Sequence, residues 1–156
     1  MTLVMEYEHA TRDAERARLR RVLALRAMLA TGESQRELAA RFGVTQPAIS
    51  YQVALERTNG VRPSELVAAG GSVLRQVAEG RGFTGLAVFG SAARGDDRPD
   101  SDIDLLVQPP AGTDVFDMLH LQETLAVVLG RDIDLVSYRG LDPCLDQDIL
   151  RDRVLL

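Results

Sequence analysis

Residues 83–108 read FTGLAVFGSAARGDDRPDSDIDLLVQ, and the fold turns on how this stretch is read. The apolar run 83–89 predicts a short strand that ends at Gly90-Ser91. Small residues at 90–95 predict a turn and a helical stub, and SDIDLLVQ at 101–108 predicts a second strand. Five aspartates, Asp96, Asp97, Asp100, Asp102 and Asp104, crowd the approach to that strand, and the last two of them enter it. A carboxylate withdrawn from water without a partner is costly, so acids that run on into an apolar strand demand a chemical reason.

Strand side chains alternate, which puts Asp102 and Asp104 on one face and Ile103 and Leu105 on the other. Their Cα atoms are expected about 6.6 Å apart, two strand rises. Two carboxylates so close raise each other's pKa unless a positive group sits between them; Arg94 or Arg98 is placed to do so. Oxygen-only ligands also suit Mg²⁺. A third predicted strand, DIDLVSY at 132–138, repeats the pattern with Asp132 and Asp134. If the two acidic strands are neighbours, Asp134 reaches the Asp102/Asp104 pair. Three convergent carboxylates then suit two divalent ions, one near an attacking oxygen and one near a leaving one. Gly90 and Ser91, at the start of a helical turn, let backbone N–H groups approach phosphate oxygens. The expectation for Asp96, Asp97, Asp100 and Asp132 is solvated loop or strand-edge acid.

Outward from this stretch, residues 114–129 carry apolar side chains at helical spacing and stop at Gly130, with a last helix expected within 143–154. Strands and helices together predict an α/β unit over residues 63–156, a small mixed sheet covered by helices. Upstream, residues 10–30 predict a helix ending at Thr31-Gly32. Ser34 and Glu37 form a capping box for a short helix to Phe42, Gly43 sits at a tight turn, and Thr45 caps a second helix with Pro47 in its first turn. That helix is expected to run to about Arg57, with Ala39, Val44, Ile49 and Val53 turned inward. Residues 58–65 read as a linker, and Gly70-Gly71 as a weak point in the helix that follows.

This layout makes residues 1–62 an all-α unit, and QRELAARFGVTQPAIS resembles the helix-turn-helix of bacterial repressors. The residues expected to face DNA are Arg36, Thr45, Gln46, Ala48, Ser50, Tyr51 and Gln52, with Arg41 and Arg57 available to phosphates. One such unit reads a short half-site, so useful affinity for operator DNA implies a homodimer.

Composition is consistent with two units. All 18 basic residues are arginine, against 23 acids, for a net charge of −5. Residues 1–62 hold ten arginines and seven acids, and residues 63–156 hold eight and sixteen. A basic front and an acidic back suggest different partners. No apolar stretch approaches a membrane span and no signal-peptide core is present, so a cytoplasmic protein with no membrane partner is expected. Cys144 is the only cysteine, which excludes a disulfide framework, and it is expected to be a small buried residue. Tyr138 is expected to be a packing aromatic.

Gly90-Ser91, ten residues, then Asp102-Ile103-Asp104 resembles the G-S-x10-D-x-D signature of the polymerase-β-like nucleotidyltransferase superfamily. More narrowly, VFGSAARGDDRPDSDIDLLV with a later IDLV is similar to the minimal nucleotidyltransferase (MNT) group. The resemblance implies two Mg²⁺ ions on Asp102, Asp104 and Asp134, triphosphate binding by Gly90 and Ser91, and a nucleotide-site role for Arg94. It implies transfer of AMP from ATP. In the MNT group the acceptor is a tyrosine of a toxin of the HEPN ribonuclease type, and the protein acts as antitoxin, in this chain with autorepression through the helix-turn-helix and assembly as a homodimer or with the toxin. Two rival readings differ in chemistry: a DNA-binding regulator whose nucleotidyltransferase unit only binds nucleotide, and an antitoxin that acts by binding alone.

Overall fold

A computed structural model describes residues 1–156. Helix α1 (Leu3–Ala30) begins seven residues before the expected start, because the Thr2 hydroxyl accepts from the Met5 N–H at 3.2 Å and caps it. The short helices α2 (Gln35–Phe42) and α3 (Gln46–Val53) follow. The Ser34/Glu37 capping box forms in both directions, at 3.2 and 2.8 Å, and Gly43 takes the left-handed conformation at φ 66° that turns the chain between the two helices. Thr45 caps α3 as expected. The helix ends at Val53, four residues early, and a 3₁₀ turn covers Leu55–Arg57. Ala39 and Ile49 are buried and Val53 half-buried, but Val44 is exposed at the turn, and the fully buried Leu38 takes the central place instead.

Helix α4 (Pro63–Glu79) runs unbroken through Gly70-Gly71. The glycine is there for packing: a Cβ on Gly70 would collide with Leu23 of α1, so the missing side chain is what lets the two helices close. Then come β1 (Thr84–Phe89), the single turn α5 (Ser91–Arg94), β2 (Ile103–Gln108), α6 (Val115–Leu129) and β3 (Ile133–Ser137). The last helix, α7, is confined to Gln147–Asp152, and a two-residue strand β4 (Val154–Leu155) follows that the sequence did not suggest. The sheet order is β3-β2-β1-β4. β1 is antiparallel to β2 and to β4, while β2 and β3 are parallel and joined over the sheet by α6, as a parallel pair requires. The sheet is mixed, as expected.

One face of the sheet carries the main core. Ile103, Leu105 and Val107 of β2, with Leu86 and Val88 of β1, pack under Leu66 and Leu74 of α4 and Leu121, Leu125 and Leu129 of α6. Leu19, Leu23 and Ala27 of α1 belong to the same cluster. A smaller cluster of Leu25, Leu38, Ala39 and Ile49 joins the opposite side of α1 to α2 and α3. Between them lies Arg26, 4% exposed, whose guanidinium donates to the carbonyls of Val53 (3.0 Å) and Ala54 (2.9 Å) and to the Thr58 hydroxyl (3.1 Å). These contacts, with buried Thr58, make residues 58–62 a packed segment and not a free linker. Cys144 is exposed, contrary to expectation; its loop is held by the Asp142 carboxylate, which accepts from the Cys144 N–H at 2.7 Å.

Candidate active site

β1 delivers Gly90 to the end of the sheet with φ 69° and ψ −151°, a conformation open in practice only to glycine. A Cβ there would run into the carboxylate of Asp104. Ser91 opens the turn of α5, and Gly95, at φ 79°, closes it. The chain then loops out and returns as β2, so that Asp104 lies opposite Phe89 on one side and Asp134 on the other. In a parallel pair, residues in register share a face, so the Asp104 and Asp134 carboxylates project together. Asp102, one residue before the strand, is on the same side. Their apolar neighbours Ile103, Leu105 and Ile133 point into the core, which is what fixes the acids outward.

The three carboxylates couple electrically. Asp104 is half-buried, and its pKa is pushed above the ordinary carboxylate range by burial first, then by the negative charges of Asp134 and Asp102. Arg94 offsets part of this. It, and not Arg98, is the positive group that acts on Asp104; its guanidinium also bonds Asp96 at 3.3 Å. Asp102 and Asp134 are exposed, and the acids do not close into a preformed three-ligand cage. Asp132 is exposed and is not among the charges acting on Asp104, in line with its reading as a strand-edge acid. The donor set is all oxygen and negative, with a half-buried carboxylate that a cation would relieve, and this fits hard divalent ions such as Mg²⁺.

Asp97 corrects the sequence reading. Its side chain is fully buried and not a solvated loop acid: it accepts from the Ser64 N–H at 2.8 Å and from the Arg62 guanidinium at 2.9 Å. It thereby caps the first turn of α4. Burial pushes its pKa up, but the Ser64 hydrogen bonds and Arg62 outweigh burial and hold it below the ordinary range. Arg131 completes the brace by donating to the carbonyls of Pro99 (2.9 Å) and Val61 (2.8 Å). The loop that carries Asp102 is therefore tied to α4 and to the end of α6. Nothing in the local sequence separates Asp97 from its neighbouring acids; its partners lie 33 and 35 residues away.

Replacing Asp97 by alanine removes the acceptor of the part-buried Ser64 N–H and leaves the Arg62 guanidinium only the Gly95 carbonyl at 2.8 Å, and should cost about 1–3 kcal/mol in urea denaturation. Because the folded pKa is depressed, Asp97 stabilises above its unfolded pKa, and that contribution is lost as pH falls through the folded value. The gap between wild type and Asp97→Ala should therefore narrow in acid; a gap that does not change with pH would exclude an ionised Asp97 as its source.

The residues expected to face DNA are not equally placed. Arg36, Thr45, Gln46, Ser50 and Tyr51 are exposed, while Ala48 and Gln52 are half-buried. The Thr45 hydroxyl accepts from the Ala48 N–H, and Gln52 lines a groove against α1. The Arg57 guanidinium lies 4.6 Å from the Tyr51 ring centre and donates to its hydroxyl at 2.9 Å. Arg41 is paired with Glu33 at 2.7 Å. Tyr138 packs half-buried, its hydroxyl donating to the Gly85 carbonyl at 2.8 Å.

The profile of the polymerase-β nucleotidyltransferase family matches residues 77–156, which hold every element of this site. A Methanocaldococcus jannaschii protein assigned as a protein adenylyltransferase is 37% identical over 68 residues, 44% of this chain and 73% of that protein. The protein adenylyltransferase MntA of Thermococcus cleftensis is 32% identical over 80 residues, 51% of this chain and 81% of that protein. A solved structure assigned as a minimal nucleotidyltransferase superposes with a TM-score of 0.54 at 38% identity, covering 60% of this chain and 95% of that one.

Proposed function

This chain is a member of the polymerase-β nucleotidyltransferase family, and from that premise we propose that it transfers AMP from ATP to a hydroxyl of another protein, a tyrosine of a HEPN-type toxin, and so acts as an antitoxin. The observation that carries this reading is the placement of Asp104 in register with Asp134, beside Asp102 and against Gly90. Two relatives assigned as protein adenylyltransferases support the acceptor class. So does the openness of the site. Asp102 and Asp134 are both exposed, and an exposed acidic edge suits an acceptor that brings its own surface.

In this reading Asp102, Asp104 and Asp134 hold two Mg²⁺ ions. When bound, these supply charge neutralisation at the phosphates and at the leaving oxygen. Gly90, without a side chain, leaves the phosphates room to approach, and the Ser91 hydroxyl donates to a phosphate oxygen. Arg94 exchanges Asp96 for the nucleotide. The acceptor oxygen attacks the α-phosphorus, the bond to pyrophosphate breaks, and the acceptor's proton passes to Asp134, the more exposed of the paired acids. Most of the acceleration then comes from positioning and preorganised charge.

The α2–α3 unit is assigned to operator DNA, which would make the protein repress its own operon. The left-handed turn at Gly43 and the exposed polar face of α3, with Gln46, Ser50 and Tyr51, support this.

One experiment addresses both parts. Full-length protein, Mg²⁺ and ATP labelled at the α-phosphate are incubated with the protein encoded beside it. Label should reach a tyrosine of the partner, and the Asp102→Ala/Asp104→Ala variant should transfer none. ATP binding without transfer to any protein would overturn the catalytic reading and leave a nucleotide-binding regulator. In a parallel arm, upstream DNA should be retarded by wild type and not by Gln46→Ala/Ser50→Ala. Absence of any shift at micromolar protein would remove the operator reading and leave the transferase reading intact.

A further inference from the structure

The first half of α1 stands away from the body of the protein. From Leu3 to Ala17 every residue is exposed except His9, which is half-buried. The first long-range anchor is Arg18, which donates to the Arg57 carbonyl at 3.0 Å. A lone helix of about 15 residues is marginal in water, so this segment needs a partner.

Its surface is patterned for one. Leu3, Tyr7, Ala10, Ala14 and Ala17 recur at alternating spacings of four and three, the strict seven-residue repeat of a helix–helix seam. Leu3 is 89% and Tyr7 75% exposed. The same seam continues at Arg21, Ala24 and Met28, where it enters a groove of about 400 Å³ lined by all three. The far wall of that groove is Phe42 and Val44, 49% and 41% exposed.

Charge identifies the occupant. The first half of α1 holds Glu6, Glu8, Asp13 and Glu15, with Arg12 the one arginine among them. Residues 16–30 hold no acid at all; Arg16, Arg18, Arg20 and Arg21 lie at or near the surface, while Arg26 is buried and takes no part. Two such helices side by side in parallel would set acid against acid and arginine against arginine. Reversed, each half meets its complement.

We infer that α1 pairs with α1 of a second copy of this chain, antiparallel. Leu3 of each copy lies opposite Met28 of the other, Tyr7 opposite Ala24, and Ala14 opposite Ala17. In this register Leu3 and Tyr7 fill the groove beside Phe42 and Val44, and Asp13 flanks Arg20 of the second copy. The alanines at the centre let the two backbones approach closely. The contact is isologous and closes on itself, so it yields a dimer and not a filament. It depends neither on nucleotidyl transfer nor on DNA, so its failure would leave the transferase reading untouched.

The test is the solution mass of the full chain by light scattering, with a crosslink to fix the register. Wild type at tens of micromolar should have twice the 17.0 kDa chain mass. Leu3→Glu/Tyr7→Glu, at two exposed sites, should weaken dimerisation at least about 100-fold with unchanged circular dichroism. In a Cys144→Ser background, Leu3→Cys/Met28→Cys should oxidise to a covalent dimer, whereas Leu3→Cys alone should not. The two positions are about 37 Å apart along one helix, too far for an intrachain bond. Crosslinking by Leu3→Cys alone would overturn the antiparallel arrangement. A monomeric wild type, or a dimer indifferent to Leu3→Glu/Tyr7→Glu, would overturn the contact and leave the face to a different protein.

Discussion

Replacing Asp104 by asparagine is expected to lower AMP transfer by about 1,000-fold or more while making the unliganded protein more resistant to heat. Both effects follow from one position. Asp104 sits between Phe89 and Asp134 in the sheet, next to Asp102 and against Gly90, and in the proposed reaction its charge is where a polyphosphate and its cations are balanced. Removing a preorganised charge from such a site typically costs several kcal/mol of transition-state stabilisation, and 1.4 kcal/mol is tenfold in rate. In the absence of cations the same charge is a burden: burial, Asp134 and Asp102 raise its pKa. A carboxyl whose folded pKa lies above its unfolded one destabilises the native state progressively as pH rises from the unfolded value through the folded one. Asparagine removes that penalty. Melting curves without divalent ions should show the variant gaining over wild type at pH 7 and losing that gain near pH 4. Adding Mg²⁺ with ATP should raise the melting temperature of wild type and not of the variant, because only a bound native state is stabilised by mass action. A variant that transfers AMP normally, or that melts lower than wild type at pH 7, would show that Asp104 is not the charge on which the site turns.

The second large effect is expected at Gly90. Alanine there meets two obstacles, a backbone at φ 69° and ψ −151° and a Cβ driven onto the Asp104 carboxylate. The strain alone is of order 1–3 kcal/mol, and relief requires β1 or Asp104 to move. Denaturation should show a loss in that range, and transfer should fall at least about 100-fold, since a displacement of about 1 Å at a reacting centre has that effect. Gly95→Ala separates the causes. Gly95 also has a positive φ, 79°, but its Cβ would meet nothing within 4 Å. It should therefore cost about 1 kcal/mol in stability and leave transfer within a few-fold of wild type. If the two variants lose activity equally, backbone strain and not the approach of Asp104 is the important feature of Gly90.

Much of this site was legible in the sequence because its determinants are local. Gly90-Ser91 and Asp102-Ile103-Asp104 stand at fixed spacing, and alternation along a strand is enough to place both acids on one face while Ile103 and Leu105 enter the core. The capping boxes and the left-handed turn at Gly43 were equally readable, since the groups that satisfy them lie within a few residues. Asp97, Arg62 and Arg131 could not be read this way. One acid among five in a loop carries no mark of burial, and its burial depends on α4 presenting Ser64 and Arg62 to it from 33 and 35 residues away. The same holds for Cys144 and Val44, whose exposure reflects what fails to pack over them.

The sequence by itself determined most of the helices and strands, the acidic faces of two strands and the glycine turn between them, because period, charge and turn chemistry are properties of neighbours along the chain. Only the tertiary structure decided that β2 and β3 are adjacent and in register, which sets Asp104 beside Asp134. It alone decided that α1 serves two cores at once, and that buried Arg26 ties α1 to the end of α3 through the Val53 and Ala54 carbonyls while also reaching the Val128 carbonyl of α6 at 3.4 Å. The physical reason is that pairing and burial are settled by competition among surfaces distant in sequence. Each of those surfaces is readable alone, but only the packed chain selects which of them meet.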